Sequence, residues 1–237
     1  MVETTKSGIY NGYKVIGTQT LGLRGLVLWL KLNEGSGNIA YDSSFYNNHG
    51  TIHGATWVDG KFGKALSFDG VDDYVEVPDS PELKPTEWTI VVWVKHNYPL
   101  GEDIGHFPFI VSKGRPEKKG YWLVLNRYVQ EFNVGTGDGT NWEETSTEVL
   151  DNNWHMVVGQ LKGNELIAYV DLNKYSETLT FTPEVSMRDL IIGAHDGKSL
   201  NFNGIIDEVR IYNRALSENE IKMLYYNRIG AVPSKTI

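Results

Sequence analysis

Two adjacent carboxylates, Asp207 and Glu208, lie inside the run Ile205-Ile206-Asp207-Glu208-Val209-Arg210-Ile211-Tyr212. A pair of carboxyl groups can cleave a glycosidic bond when they stand about 5 to 5.5 Å apart, one as nucleophile and one as acid/base. On a strand this needs a spacing of two, because alternate side chains share a face. Asp207 is therefore expected on one face with Val209 and Ile211, and Glu208 on the other with Arg210 and Tyr212. Glu143-Glu144 fails by the same rule. There is no Gly-x-Ser-x-Gly, no His-Glu-x-x-His and no phosphate-binding Gly-rich loop. Gly135-Thr136-Gly137-Asp138-Gly139-Thr140 lacks the following Lys and is expected to be a turn. The chain is expected to be no enzyme.

Binding chemistry is better represented. A carboxylate such as Asp207 on an apolar strand face needs a partner, since burying it unpaired is expensive. A hard cation with oxygen ligands would serve, and Asp42-Ser43-Ser44-Phe45-Tyr46-Asn47-Asn48 is rich in oxygens. The plainer alternative is an Asx turn at Asp42 and backbone N–H bonds at Asp207. An exposed aromatic plane ringed by polar groups suits a small-ligand pocket. Trp142, in Asp138-Gly139-Thr140-Asn141-Trp142, has that company, and so does His195-Asp196 with Asn201 and Asn203. Trp29, Trp93 and Trp122 lie in strand runs and are expected in the core. His155 is expected to be a structural residue at a strand end.

These residues must be held by strands. Short apolar or β-branched runs recur from Leu26, at 26–32, 74–77, 89–94, 121–125, 132–134, 156–161, 166–170, 190–192 and 205–212, with turn signals between them. Lys162-Gly163-Asn164-Glu165 marks a hairpin. Near the end, Ser217 with Glu220 forms a capping box, and Leu216 with Ile221 a hydrophobic staple, for one short helix. With 25 Gly and 13 Tyr, the composition also leans to strands and tight turns. A formal net charge of -8 disfavours a sequence-independent grip on nucleic acid. The densest basic cluster, Lys113, Arg115, Lys118 and Lys119, is expected to be a solvated loop. No run reaches the length of a membrane span, no signal-peptide core follows Met1, and the absence of Cys excludes disulfides.

Two stretches carry a resemblance. One runs from Leu28-Trp29-Leu30-Lys31-Leu32-Asn33-Glu34-Gly35-Ser36-Gly37 through Tyr41-Asp42-Ser43-Ser44 and Asn47-Asn48-His49-Gly50 to Ala65-Leu66-Ser67-Phe68-Asp69-Gly70. The other is Phe202-Asn203-Gly204-Ile205-Ile206-Asp207-Glu208-Val209-Arg210-Ile211-Tyr212-Asn213-Arg214-Ala215-Leu216-Ser217. With Trp154-His155 and Ala168-Tyr169-Val170-Asp171 between them, they resemble the laminin G-like domains of the concanavalin A-like lectin/glucanase superfamily. The resemblance implies an all-β fold, a two-sheet antiparallel jelly-roll sandwich with one short C-terminal helix. It also implies a structural calcium, with Asp42, Asn47 and Asp207 as candidate ligands. Leu172-Asn173 stands where the family has Gly after Asp171, so that turn is expected to be reshaped.

The domain layout is expected to be an N-terminal arm at 1–22, the sandwich at 23–228 and a tail at 229–237. Two functions fit. One is a self-assembling structural or recognition protein, such as a virion decoration or fibre component, whose partners are copies of itself or a capsid or surface protein. The other is a carbohydrate-binding module whose partners are glycans. The first is favoured by Met1 without an export signal and by the absence of a Ser/Pro linker. Its expected location is extracellular, on a cell surface or on a virion.

Overall fold

The computed structural model describes residues 8–10, 13–15, 23–126, 128, 131–148, 151–195 and 198–226. Along the chain the strands are β1 (Gly8–Tyr10), β2 (Tyr13–Val15), β3 (Leu26–Leu30), β4 (Ile39–Ala40), β5 (Gly50–His53), β6 (Thr56–Asp59), β7 (Lys64–Asp69), β8 (Tyr74–Val77) and β9 (Trp88–His96). They continue as β10 (Phe109–Lys113), β11 (Lys119–Leu125), β12 (Glu131–Asp138), β13 (Trp142–Glu148), β14 (His155–Lys162), β15 (Glu165–Val170), β16 (Asn173–Thr178), β17 (Leu190–Ile192) and β18 (Asn203–Tyr212). A single helix, α1 (Glu218–Tyr225), follows.

Two antiparallel sheets of eight strands each form the sandwich. The first has the order β13-β12-β11-β10-β17-β8-β5-β4. The second has the order β16-β15-β14-β9-β18-β7-β6, with β3 also pairing β18. β1 and β2 pair with each other. Alternate residues face inward, so Leu123, Val134 and Val75 of one sheet meet Val92, Val157 and Ile206 of the other in one shared core.

The strong apolar runs all become strands. The hairpin between β14 and β15 turns on Gly163-Asn164, with Gly163 at φ 58°. The capping box is present: Ser217 Oγ accepts from Glu220 N–H, and Glu220 accepts from Ser217 N–H. Leu216 and Ile221 are both buried where a staple needs them. The helix covers the outer face of the second sheet, over Trp93, Val158, Tyr169 and Tyr212. Trp29 and Trp93 are thus buried beneath the helix layer and not between the sheets.

One face assignment is corrected. β18 carries a bulge between Asp207 and Arg210, and Glu208 sits at φ 55°. The extra residue breaks the alternation. Asp207 pairs with Trp93 and Arg210 with Val91, both on the outer face, while Val209 and Ile211 remain in the inner core. Asp207 therefore does not share a face with Val209 and Ile211, and adjacency does not separate it from Glu208. Glu208 is engaged elsewhere: its carboxylate accepts from Trp29 Nε1 at 2.9 Å and pairs with Arg210 at 2.5 Å.

The turn after β15 departs from glycine as the sequence suggested. Asp171 and Leu172 have φ of 49° and 80°, two successive left-handed residues. Such a turn favours Asn or Gly, so Leu172 is strained there. Leu172 packs against the helix layer, which gives the side chain a role glycine lacks. Asp171 is held by His155, whose Nδ1 lies 2.6 Å from Asp171 Oδ2 while its Nε2 lies 2.8 Å from Asp151 Oδ1. Asp171 Oδ1 also accepts from Met156 N–H at 3.0 Å.

Burial alone would lower the pKa of His155, but hydrogen bonds and attraction from Asp171 and Asp151 outweigh it and raise the pKa. A folded-state pKa above the unfolded value of 6.5 gives stability that is complete below 6.5 and lost as pH climbs through the folded value. Thermal denaturation is therefore expected to show a midpoint that falls as pH climbs above 6.5, and His155→Gln is expected to flatten that fall. An equal slope in the variant would show that the clamp does not titrate as described.

Candidate functional site

The outer face of the first sheet carries the site, and strand register positions it. Trp122 on β11 pairs with Gly135 on β12, which pairs with Glu144 on β13. One row along, Gly120, Gly137 and Trp142 are aligned. Gly135 and Gly137 are two apart, so both face outward from one strand. The expected turn at 135–140 is corrected here: β12 runs through Asp138, and the turn begins at Gly139.

The glycines make room. A Cβ at Gly135 would stand 2.0 Å from Trp122 Nε1, so the indole lies directly over this backbone. From there Nε1 donates to Glu144 Oε1 at 2.7 Å, and Asn133 Nδ2 donates to Glu144 Oε2 at 3.1 Å. Trp122 is fully buried, yet it belongs to a small separate cluster with Phe109 and Val124. It is floor, not inter-sheet core.

Over this floor opens a cleft of about 370 Å³ lined by Phe107, Phe109, Arg115, Val124, Trp142, Glu144, His195 and Leu200. That volume falls in the range of roughly 300 to 1,000 Å³ typical of small-molecule sites. Trp142, at the start of edge strand β13, keeps 43% of its surface exposed. Arg115, from the short turn after β10, places its guanidinium carbon 4.9 Å from the Trp122 ring and 4.5 Å from the Trp142 ring. On the opposite wall, Phe109 N–H donates to Leu200 O at 3.0 Å and His195 N–H to Ser199 O at 2.7 Å. These bonds set the His195 ring edge-on to Phe109 at 5.0 Å. The surface is apolar and aromatic with three polar groups.

Trp142 and His195, found in separate stretches of sequence, thus meet in one cleft. Asp196 lies outside the described residues. Asn201 is buried beside the cleft wall, where its Nδ2 donates to Asp73 O at 3.4 Å and its own carbonyl accepts from Tyr98 Oη at 3.1 Å. Sequence reasoning missed Arg115, Glu144 and the apolar wall. The signal was the Gly-x-Gly spacing opposite a tryptophan, which marks a strand face flattened to hold a ring.

The residues expected to hold calcium, Asp42, Asn47 and Asp207, have partners within the protein or lie in the loop between β4 and β5. Asp42 Oδ1 accepts from Trp29 N–H and Ser44 N–H, and Oδ2 from Ser44 Oγ and Asn48 N–H. Four donors occupy about the four lone-pair directions a carboxylate offers. The Asx turn accounts for Asp42, and it also seals the edge of β3. Asn47 is an exposed turn residue at φ 58°. Asp207 is fully buried elsewhere; Oδ2 accepts from Phe62 N–H at 2.9 Å and Oδ1 has no hydrogen-bond partner. Burial pushes its pKa up to about 7. Among the described residues, these three have no hydrogen-bond partner in common. A separate acidic group, Asp69, Asp72 and Asp73, brings ligand atoms within 4.8 Å of one another, with Asp73 already accepting from Asp69 N–H.

Gly135→Ala is expected to destabilise the fold by about 1 to 3 kcal/mol through overpacking against Trp122. It should also move the Trp122 indole off Glu144, which a loss of its slowed N–H exchange would report. Unchanged stability and exchange would contradict the flattened-face geometry.

Residues 69–222 match the family model of the concanavalin A-like lectin/glucanases superfamily. No curated protein sequence matches the chain. Among solved structures, the binding domain of Paraclostridial Mosquitocidal Protein 1 superposes with a TM-score of 0.72 at 17% identity, over 87% of this chain and 53% of that one. Domain 4 of an extracellular arabinanase from Geobacillus stearothermophilus, in complex with arabinotriose, gives 0.65 at 21%, over 84% of this chain and 98% of that domain. The binding domain of Botulinum Neurotoxin DC in complex with SialylT gives 0.67 at 11%, over 86% and 52%. The chain therefore spans about half of each of these toxin binding domains and nearly the whole of the arabinanase domain. Among the described residues, no helix is long and apolar enough to cross a membrane. The family match covers more than half of the sequence, and the chain belongs to the concanavalin A-like lectin/glucanase superfamily as a laminin G-like jelly roll.

Proposed function

We propose that this chain is a non-catalytic carbohydrate-binding domain of an extracellular or surface protein, and that the Trp142–Trp122 cleft receives the sugar. The observation that carries this is the pairing of a half-exposed indole with a rigid aromatic floor and a few fixed polar groups. Rigid aromatics give contact area with little ordering cost on binding, and a few placed polar groups set orientation. The whole-domain likeness to an arabinanase domain solved with arabinotriose is in keeping with such a role.

Catalysis is disfavoured on new grounds. Asp207 and Glu208 do face one side, but Asp207 is fully buried and Glu208 is buried in its bonds to Trp29 and Arg210. Neither reaches an open groove. Self-assembly through the N-terminal arm rests on residues 1–22, of which only the β1–β2 pair is described. The cleft, by contrast, is lined by described residues.

A glycan array followed by calorimetry is expected to find at least one saccharide bound by the wild type. Trp142→Ala, at an exposed site, should weaken that saccharide about tenfold or more while leaving the melting midpoint nearly unchanged. Binding that survives Trp142→Ala intact would move the site away from this cleft.

A further inference from the structure

The basic cluster at 113–119 is not uniformly solvated, and one of its members is unspent. Lys113 donates to Asp79 at 2.7 Å and to the Arg188 carbonyl. Lys119 pairs with Glu184 at 2.6 Å, and Lys118 reaches Thr140 O at 3.4 Å. Arg115 alone of the four makes no hydrogen bond to any described residue, and its Nε is buried without a partner. Its nearest carboxylate oxygen, Glu144 Oε1, is 3.9 Å from Nε, beyond hydrogen-bond reach. Both Glu144 oxygens are already accepting from Trp122 and Asn133.

The guanidinium is nevertheless fixed. It stands beside two indoles, Trp122 beneath and Trp142 beside, and such stacking holds its plane without using its N–H groups. An arginine held in an apolar cleft, ion-paired to Glu144 but making no side-chain hydrogen bond to a described residue, is preorganised for a group that accepts two parallel N–H bonds. Such a group is an oxyanion: a carboxylate, a phosphate or the similarly shaped sulfate. A neutral sugar ring offers only single hydroxyls and would leave much of this donor set unused.

We propose that the cleft selects acidic saccharides, with Arg115 gripping the anionic group while the sugar ring packs against Trp142. This deepens the carbohydrate assignment above and rests on it. Glu144 would hold the floor and the charge balance, and would repel an acid placed on its own side. The acidic group is thereby directed to the Arg115 wall. The preference would run against the overall charge of -8, so it must be local to this cleft.

The test compares matched pairs on the full chain by calorimetry: sialyllactose against lactose, trigalacturonic acid against its methyl ester, and sulfated against plain lactose. At least one acid should bind about tenfold more tightly than its neutral parent, and added salt should erode the difference. The pair that responds identifies the anionic source. Arg115→Gln should abolish the preference for an acid over its neutral parent, and Arg115→Lys should restore part of it. Should Arg115→Gln fail to fold, the acid–ester pair and its salt dependence on the native chain decide. Equal affinity for acid and neutral partners overturns the acidic selectivity and leaves carbohydrate binding standing. If no saccharide of either kind binds, both fall together.

Discussion

The indole of Trp122 lies flat on the backbone of Gly135, and the architecture of the cleft depends on that contact. Any side chain at this point would lift the ring, break its bond to Glu144 and remove the floor under Arg115 and Trp142. A sandwich needs its inner faces apolar; nothing in its stability asks for a flat aromatic surface on the outside. The second sheet meets its own outer apolar face by docking a helix on it. Among the described residues the first sheet has no helix there, and its outer apolar residues Phe109 and Val124 line the cleft beside Arg115 and Leu200. An open aromatic surface is what remains.

Much of the fold was legible because its signals are local. Apolar runs with period two, the Gly163-Asn164 turn and the Ser217/Glu220 box each act within a few residues. Some strands that escaped notice are short or polar: β16 is exposed at every position, and β4 has two residues; β10, buried throughout, escaped as well. β16 pairs with β15 and β4 with β5, each at the edge of its sheet, and a strand at a sheet edge has no need of an apolar face. The bulge at Asp207–Glu208 was invisible for another reason. It comes from pairing with β9, and Glu208 is not a residue type that announces a positive φ.

The site was half legible. Trp142 and His195 were recognisable as aromatic or imidazole groups in polar loops, but they are 53 positions apart in a 237-residue chain, and only sheet order makes them neighbours. Trp122 looked like core because it lies in an apolar strand run; such a run does not say which side of the sheet a ring lies on. Arg115 looked like one of four similar cations, and only the partners of the other three distinguish it. The calcium expectation met a different obstacle. Asp42 and Asp207 are both buried carboxylates, but Asp42 is satisfied by three donors from its own loop and one from Trp29 on β3, and Asp207 answers its burial by holding its proton near neutral pH.

The most direct measurement is nitrogen–proton NMR of the seven indole N–H groups during titration with a saccharide that binds. The resonance of Trp142 should shift saturably, with smaller changes at Trp122 beneath it, while Trp88 in the inter-sheet core stays still. Shifts confined to the tryptophans of the helix-covered face, or none at saturating ligand, would contradict the cleft as the place where this chain meets its partner.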